Sequence, residues 1–173
     1  LGSELDATMH YPFRTAVLDF LQGKINAQTA CDTFWTIQEH YPKENLYAAL
    51  NLIGSHDRAR VLTVLGGDVN ALKMAMFLQF ALPGVPSIYY GDEAGMQGFE
   101  DPFNRGTYPW GHENAELVRY FQQLGALRKA HEALQSGTIV YHAAQGRALA
   151  FSRRTEHDHC LTAVNAGDEP VTL

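Results

Sequence analysis

The sequence predicts an α/β chain that ends in antiparallel β structure. Two observations carry this. From Leu5 to about Ala130 one pattern recurs three times: a short apolar run, a few polar residues, then a longer amphipathic segment. After His131 helical spacing stops, and short alternating runs separated by turn residues take over. Alternating strands and helices imply parallel strands joined by helical crossovers, whereas short runs closed by Gly, Asn and Asp imply hairpins.

The first apolar run covers residues 5–9 and gives way to His10-Tyr11-Pro12-Phe13. Ala16, Val17, Phe20 and Leu21 then fall at helical spacing, which resumes over residues 27–40. The second run, residues 47–53, is broken by Gly54 and followed by Ser55-His56-Asp57. Asp68 is placed to cap a helix over residues 69–82 that is apolar nearly all round and stopped by Pro83-Gly84. The third run, residues 85–90, precedes Gly91-Asp92-Glu93 and a long loop rich in Gly, Pro and aromatic residues. A helix over residues 115–130 aligns Leu117, Phe121, Leu124 and Leu127 on one face. Its C-terminal end carries Arg128, Lys129 and His131, where the helix dipole favours cations. Residues 138–142, 148–153 and 160–164 read as strands, and a fourth begins at residues 171–173.

The 173 residues suit one domain, or a domain with a piece of another, and 46% hydrophobic content builds a core rather than a disordered chain. A formal charge of -6 with scattered Lys and Arg argues against a nucleic-acid surface and a polybasic membrane patch. No run approaches the roughly 18 apolar residues of a membrane helix. Cys31 and Cys160 lie far apart without metal-ligand spacing, so a disulfide framework is not expected and a reduced, cytoplasmic compartment is. The chain opens on Leu1-Gly2-Ser3 and already reads like a domain interior at Leu5, as a piece of a longer protein would.

In parallel α/β folds, function gathers at the C-terminal ends of strands. Here those ends carry His10, then His56-Asp57, then Asp92-Glu93. Any one of them alone reads as a cap or turn, but three in succession point to an active-site face. Asp92 and Glu93 are adjacent, and adjacent side chains rarely reach one atom, so they read as loop braces. His157-Asp158-His159-Cys160 has metal-binding composition but sits at a predicted hairpin, and a solvated turn is expected there. No metal site and no cofactor are expected. For Tyr11, Phe13, Tyr108 and Trp110 the choice between stacking on the apolar face of a ligand and packing in the core stays open.

Asn51-Leu52-Ile53-Gly54-Ser55-His56-Asp57-Arg58-Ala59-Arg60-Val61-Leu62 resembles the strand-seven motif of the α-amylase family. Leu82-Pro83-Gly84-Val85-Pro86-Ser87-Ile88-Tyr89-Tyr90-Gly91-Asp92-Glu93 resembles its strand eight, and Asp6-Ala7-Thr8-Met9-His10-Tyr11-Pro12-Phe13 its strand six. Asp101-Pro102-Phe103-Asn104-Arg105-Gly106-Thr107-Tyr108-Pro109-Trp110 resembles the following loop in the neopullulanase, cyclomaltodextrinase and maltogenic amylase subgroup.

The resemblance implies an eight-stranded (β/α)8 TIM barrel of which residues 1–135 supply strands six to eight. An antiparallel β-sandwich domain would begin over residues 136–173. It also implies retaining hydrolysis of α-glucosidic bonds in malto-oligosaccharides, cyclodextrins or pullulan, which needs a nucleophile and an acid/base. In the family both come from strands four and five, upstream of Leu1, so the chain alone is expected to be inactive. Asp57 matches the family's third carboxylate, which stabilises the transition state, and His56 the histidine that hydrogen-bonds the same ring. Asp101 and Arg105 match a pair that contacts a ring farther from the cleaved bond. Arg58-Ala59 departs from the Thr-Pro or Thr-Glu of many relatives and leaves contacts beyond the scissile bond undefined. The expected partner is an α-glucan, with no nucleic acid and no membrane. Open barrel edges predict self-association of the chain on its own. A non-catalytic amylase-like scaffold and a carbohydrate-binding module are the alternatives; retention of His56-Asp57 and of Asp101 with Arg105 favours the enzyme.

Overall fold

The computed structural model describes residues 5–172. The chain runs through α1 (Tyr11–Leu21), α2 (Ala27–His40), α3 (Lys43–Ala48), β1 (Leu50–Leu52), α4 (Val61–Val64), α5 (Val69–Ala81) and β2 (Val85–Ser87). A 3-10 turn at Phe103–Arg105 follows, then α6 (Ala115–Ala130), α7 (Glu132–Ser136), β3 (Thr138–Gln145), β4 (Ala148–Arg154) and β5 (His159–Asn165). Polar caps set three of the helix starts. Asn26 accepts the Thr29 N–H at 2.8 Å, Asp68 those of Asn70 and Ala71 at 2.8 and 3.0 Å, and Asn114 those of Glu116 and Leu117 at 3.1 Å each. Each bond satisfies an amide that the first helical turn leaves unpaired.

β1 and β2 pair in parallel, Leu50 opposite Val85 and Leu52 opposite Ser87, with α5 as the crossover between them. Gln79, buried on α5, fastens the helix to both strands: its amide donates to Asn51 O at 2.7 Å and Ser87 O at 2.9 Å. Asn51, buried in β1, donates to Pro83 O at 2.8 Å. Gly84 passes so close, at φ +121°, that a Cβ would meet the Asn51 side chain at 2.6 Å; only glycine fits this turn. The nearly all-round apolar character of α5 follows from its place, with α1 and α6 both packed against it.

β3, β4 and β5 form a three-stranded antiparallel sheet in that order, with a bulge between Tyr141 and Ala143. Leu149, Phe151 and Val164 from this sheet share one core with Phe13, Phe34, Leu72 and Leu78. Arg153 locks the junction. It is fully buried, its Nε donates to Gly137 O at 3.0 Å and its Nη1 to Ala81 O at 2.7 Å, so a side chain of β4 closes the end of α5.

Several expected elements change. Residues 5–9 form no strand: Met9 makes a single parallel bridge to Leu50, flanked by Leu50 N to Thr8 O at 2.9 Å and His10 N to Leu50 O at 3.0 Å. Leu5 and Met9 are 75% and 41% exposed, and pairing on one flank alone supports little more than a bridge. Tyr47 and Ala48, expected to begin the second strand, end α3 instead, with Glu44 in its first turn and Leu46 buried. The third strand stops at Ser87, because Tyr89 and Tyr90 turn away to stack on Arg60. The short helices α4 and α7 were not expected from periodicity, which four or five residues are too few to display. Of the expected fourth strand, residues 171–172 carry no strand structure and Leu173 lies outside the described residues.

Arg153→Met is expected to lower stability by about 2–4 kcal/mol, since it strips a charged donor from two buried carbonyls, of which Gly137 O keeps the Tyr47 hydroxyl. Urea unfolding checks this through a lower midpoint at nearly constant slope.

Candidate functional site

Beyond β1 the chain turns through Ile53 and Gly54, and each step is fixed from outside. Ile53 O accepts from Arg14 Nε of α1 at 2.7 Å. A Cβ on Gly54 would lie 2.0 Å from Asp92 Oδ2, so glycine alone lets this loop pass the neighbouring one. After this buried entry His56 and Asp57 face outward, their side chains 60% and 56% exposed. Both carboxylate oxygens of Asp57 are held. Oδ1 lies 3.1 Å from His56 Nε2, and Oδ2 accepts the Tyr11 hydroxyl at 2.9 Å. Ser55 Oγ accepts the Asp57 N–H at 3.3 Å and lies 3.2 Å from the same Tyr11 hydroxyl.

Asp101 precedes the 3-10 turn in the loop after β2 and Arg105 ends it, with Arg105 Nε 2.9 Å from Asp101 Oδ1 and both side chains near half exposed. Between them in sequence, Asn104 is fully buried. Its Nδ2 donates to His56 O at 2.7 Å and to Arg58 O at 2.8 Å, bringing the Asp101/Arg105 loop against the His56-Asp57 loop. Phe99, Phe103 and Trp110 stand exposed on the same loop. Exposed aromatic faces and hydrogen-bonding side chains suit a sugar, whose rings offer C–H faces and hydroxyls.

A buried ion pair joins the two loops from beneath. Arg60 and Asp92 are 0% and 2% exposed, with Arg60 Nη1 3.3 Å from Asp92 Oδ1. The guanidinium also donates to Tyr90 O and lies 4.2 and 4.6 Å from the ring centroids of Tyr89 and Tyr90. Burial pushes the Asp92 carboxyl up to about 7, against the pull of Arg60.

The three polar strand ends therefore do not share one open face. His10 is buried, its Nδ1 3.3 Å from Asn51 Oδ1, and burial lowers its pKa. Asp92 braces the loops, as its adjacency to Glu93 suggested. Phe13 is core, whereas Trp110 is 79% exposed against Tyr108, ring centroids 4.5 Å apart. Tyr11 is half-buried, and its hydroxyl holds Asp57. At the 157–160 cluster, the donors that converge are Asp158, Cys160 and, from outside the motif, His131, all within 4.8 Å. Asp158 is engaged as a cap: Oδ2 accepts the Ala133 N–H at 3.0 Å and Oδ1 lies 3.1 Å from His131 Nδ1, which together depress its pKa. Arg60 and Asn104, and the role of the Tyr11 hydroxyl, escaped sequence reasoning, although all three residues lie inside motif segments.

A family model described as the alpha amylase catalytic domain matches residues 2–115. The chain belongs to the α-amylase family. Its curated relatives include an amylopullulanase from Thermoanaerobacter thermohydrosulfuricus, 38% identical over 89% of this chain and 12% of the relative. They also include a cyclomaltodextrinase from Geobacillus thermopakistaniensis, 38% identical over 99% of this chain and 30% of the relative. The native debranching enzyme of Nostoc punctiforme has the same fold, with a TM-score of 0.92 and 31% identity over 96% of this chain and 38% of that structure. This α-amylase-family chain thus spans well under half the length of these proteins. Among its described residues no helix is long and apolar enough to cross a membrane.

The Arg60–Asp92 pair gives the family chain a specific pH signature. The folded state keeps the Asp92 proton up to about pH 7, whereas the unfolded carboxyl releases it near 3.8. The stabilisation linked to this group is complete below that lower value and is lost as pH rises towards 7. Asp92→Asn is expected to remove that slope. Urea midpoints of both proteins at about pH 4.5, 6 and 7.5 check this, the wild type losing ground against the variant as pH rises.

Proposed function

We propose that this chain is the C-terminal portion of a retaining α-glucan hydrolase, supplying strands six to eight of the barrel over residues 1–135 and the start of an antiparallel β domain over residues 136–173. The observation that carries the reading is the Asp57 carboxylate, presented to solvent at a strand end of an α-amylase-family barrel with each oxygen held by a separate side chain. Relatives named amylopullulanase and cyclomaltodextrinase, aligned over 89% and 99% of this chain, support α-linked glucans as the substrate class.

In this reading the glycosidic bond is broken by a nucleophile and an acid/base on barrel strands outside this chain, and Asp57 acts on the same sugar ring. As the anomeric carbon gains oxocarbenium character, a fixed anion beside it becomes more favourable than in the ground state, so Asp57 lowers the barrier rather than tightening binding. His56 shares its hydrogen bond between Asp57 and a ring hydroxyl, and Tyr11 keeps the carboxylate in one orientation. Asp101 and Arg105 exchange part of their mutual ion pair for hydroxyls of a more distant ring. A neutral sugar offers them no charge, so their value lies in multiple hydrogen bonds. The free thiols Cys31 and Cys160 suit a reducing compartment, and the cytoplasm is the proposed location.

Exposed Val85 and Ile88 along the β2 flank, with Leu5 and Met9 along the other, mark the edges where further barrel strands would pair. On its own the chain is expected to self-associate through these edges, and light scattering over a dilution series checks it; a micromolar monomer that unfolds cooperatively contradicts it.

Two activity measurements test the main reading. The chain by itself should turn over neither maltotriose, β-cyclodextrin nor pullulan. In the polypeptide that carries the whole barrel, Asp57→Asn should reduce kcat by well over about tenfold with the fold intact; a variant retaining more than that removes Asp57 from the chemistry.

A further inference from the structure

Asn104 contacts no sugar in the function proposed above, yet its amide touches the residues on either side of Asp57. Both acceptors, His56 O and Arg58 O, are backbone carbonyls, so chemistry alone dictates that the NH2 end faces them. Among the described residues no other hydrogen bond holds either carbonyl. The Oδ1 of Asn104 is buried without a partner among the described residues. A desolvated, unpaired acceptor is unfavourable, so the side chain serves this position through its two donors. The turn that carries it is itself ordered, Phe103 N donating to Glu100 O at 3.0 Å and Arg105 N to Pro102 O at 3.1 Å. Asp101 and Arg105 leave from that turn towards solvent, while Asn104 points inward beneath Asp57.

We propose that Asn104 is a positioning residue: it clamps the peptide frame of Asp57 and couples it to the Asp101/Arg105 loop, so that the two sugar contacts are set as one unit. The proposal rests on the function assigned above. The outward side chain of Asp57 is held by Tyr11 and His56 and its N–H by Ser55 Oγ, while Asn104 holds the carbonyls on either side of it. A catalytic carboxylate must keep its place to within about 0.5 Å. Without the clamp both carbonyls are free to turn to water, and Asp57 drifts. Because Asp57 acts on the transition state, its drift lowers kcat. Because Asp101 and Arg105 act on a farther ring, their drift raises KM only for substrates long enough to reach them.

The test uses the polypeptide with the complete barrel and the variants Asn104→Ala and Asn104→Ser, the serine keeping one donor. Rates are normalised to folded protein by circular dichroism. Asn104→Ala is expected to lose about tenfold or more in kcat on both maltotriose and p-nitrophenyl α-glucoside, with KM raised for maltotriose alone, and Asn104→Ser to fall between it and the wild type. Amide exchange of residues 54–60 is expected to quicken by about tenfold while that of α6 stays unchanged. An active wild type whose folded variants keep kcat within about twofold overturns the positioning role, and so does a loss that vanishes on normalisation. If the alanine variant does not fold, wild-type kinetics in the serine variant overturn it by themselves. Unchanged exchange over residues 54–60 overturns the clamp whatever the activity. A wild type with no turnover on either substrate overturns the functional reading instead.

Discussion

The guanidinium of Arg60 is the constraint around which the site is arranged. It has no exposure to solvent, so it must find in the protein what water would give. Asp92 supplies a carboxyl oxygen, which gains the opposing charge as it ionises near pH 7, the rings of Tyr89 and Tyr90 cover the guanidinium faces, and Tyr90 O is an acceptor. These partners belong to the end of β2 and its loop, whereas Arg60 belongs to the loop after β1. Removing these partners leaves the buried Arg60 cation uncompensated, which makes the two loops one mechanical unit. The early end of β2 follows from the same demand, since Tyr89 and Tyr90 must leave the strand to reach the cation.

Above that buried pair the polar strand-end groups divide by environment. His10 and Asp92 are desolvated and used for support, His10 against Asn51 and Asp92 against Arg60. Asp57 stays in water with its orientation fixed by neighbours. Residues of similar type in equivalent places thus take opposite tasks, and burial decides which. The proposed chemistry on a neutral sugar calls for an anion that is oriented yet open, and Asp57 alone of the three meets both conditions.

The same economy of contacts ties the parallel segment to the antiparallel sheet. Gln79 fastens α5 to β1 and β2, and Arg153 reaches from β4 to the last carbonyls of α5. With Leu149, Phe151 and Val164 in the core that Phe13 and Leu72 occupy, helix, strands and sheet shift little relative to one another. The strand-end loops inherit that rigidity.

Local chemistry determined much of this protein by itself. Periodicity located α2, α5 and α6, and the Asp68 cap the start of α5, because caps and apolar spacing act within a turn or two of helix. Alternation and turn residues located β3 to β5 for the same reason, and the motif around His56 and Asp57 was legible as contiguous residues. What tertiary structure decided lay in pairings across 30 to 48 positions, such as Arg60 with Tyr90, Tyr11 with Asp57 and Asn104 with His56. No local pattern encodes these, since each depends on which loops the packed helices bring together. Tertiary context also turned residues 47 and 48 from strand to helix, reduced the first strand to a bridge at Met9, and buried His10 where sequence placed it on an active face. Short-range propensity fixes the type of long, strongly patterned elements; only the surrounding protein fixes the short ones, their partners and their exposure to water.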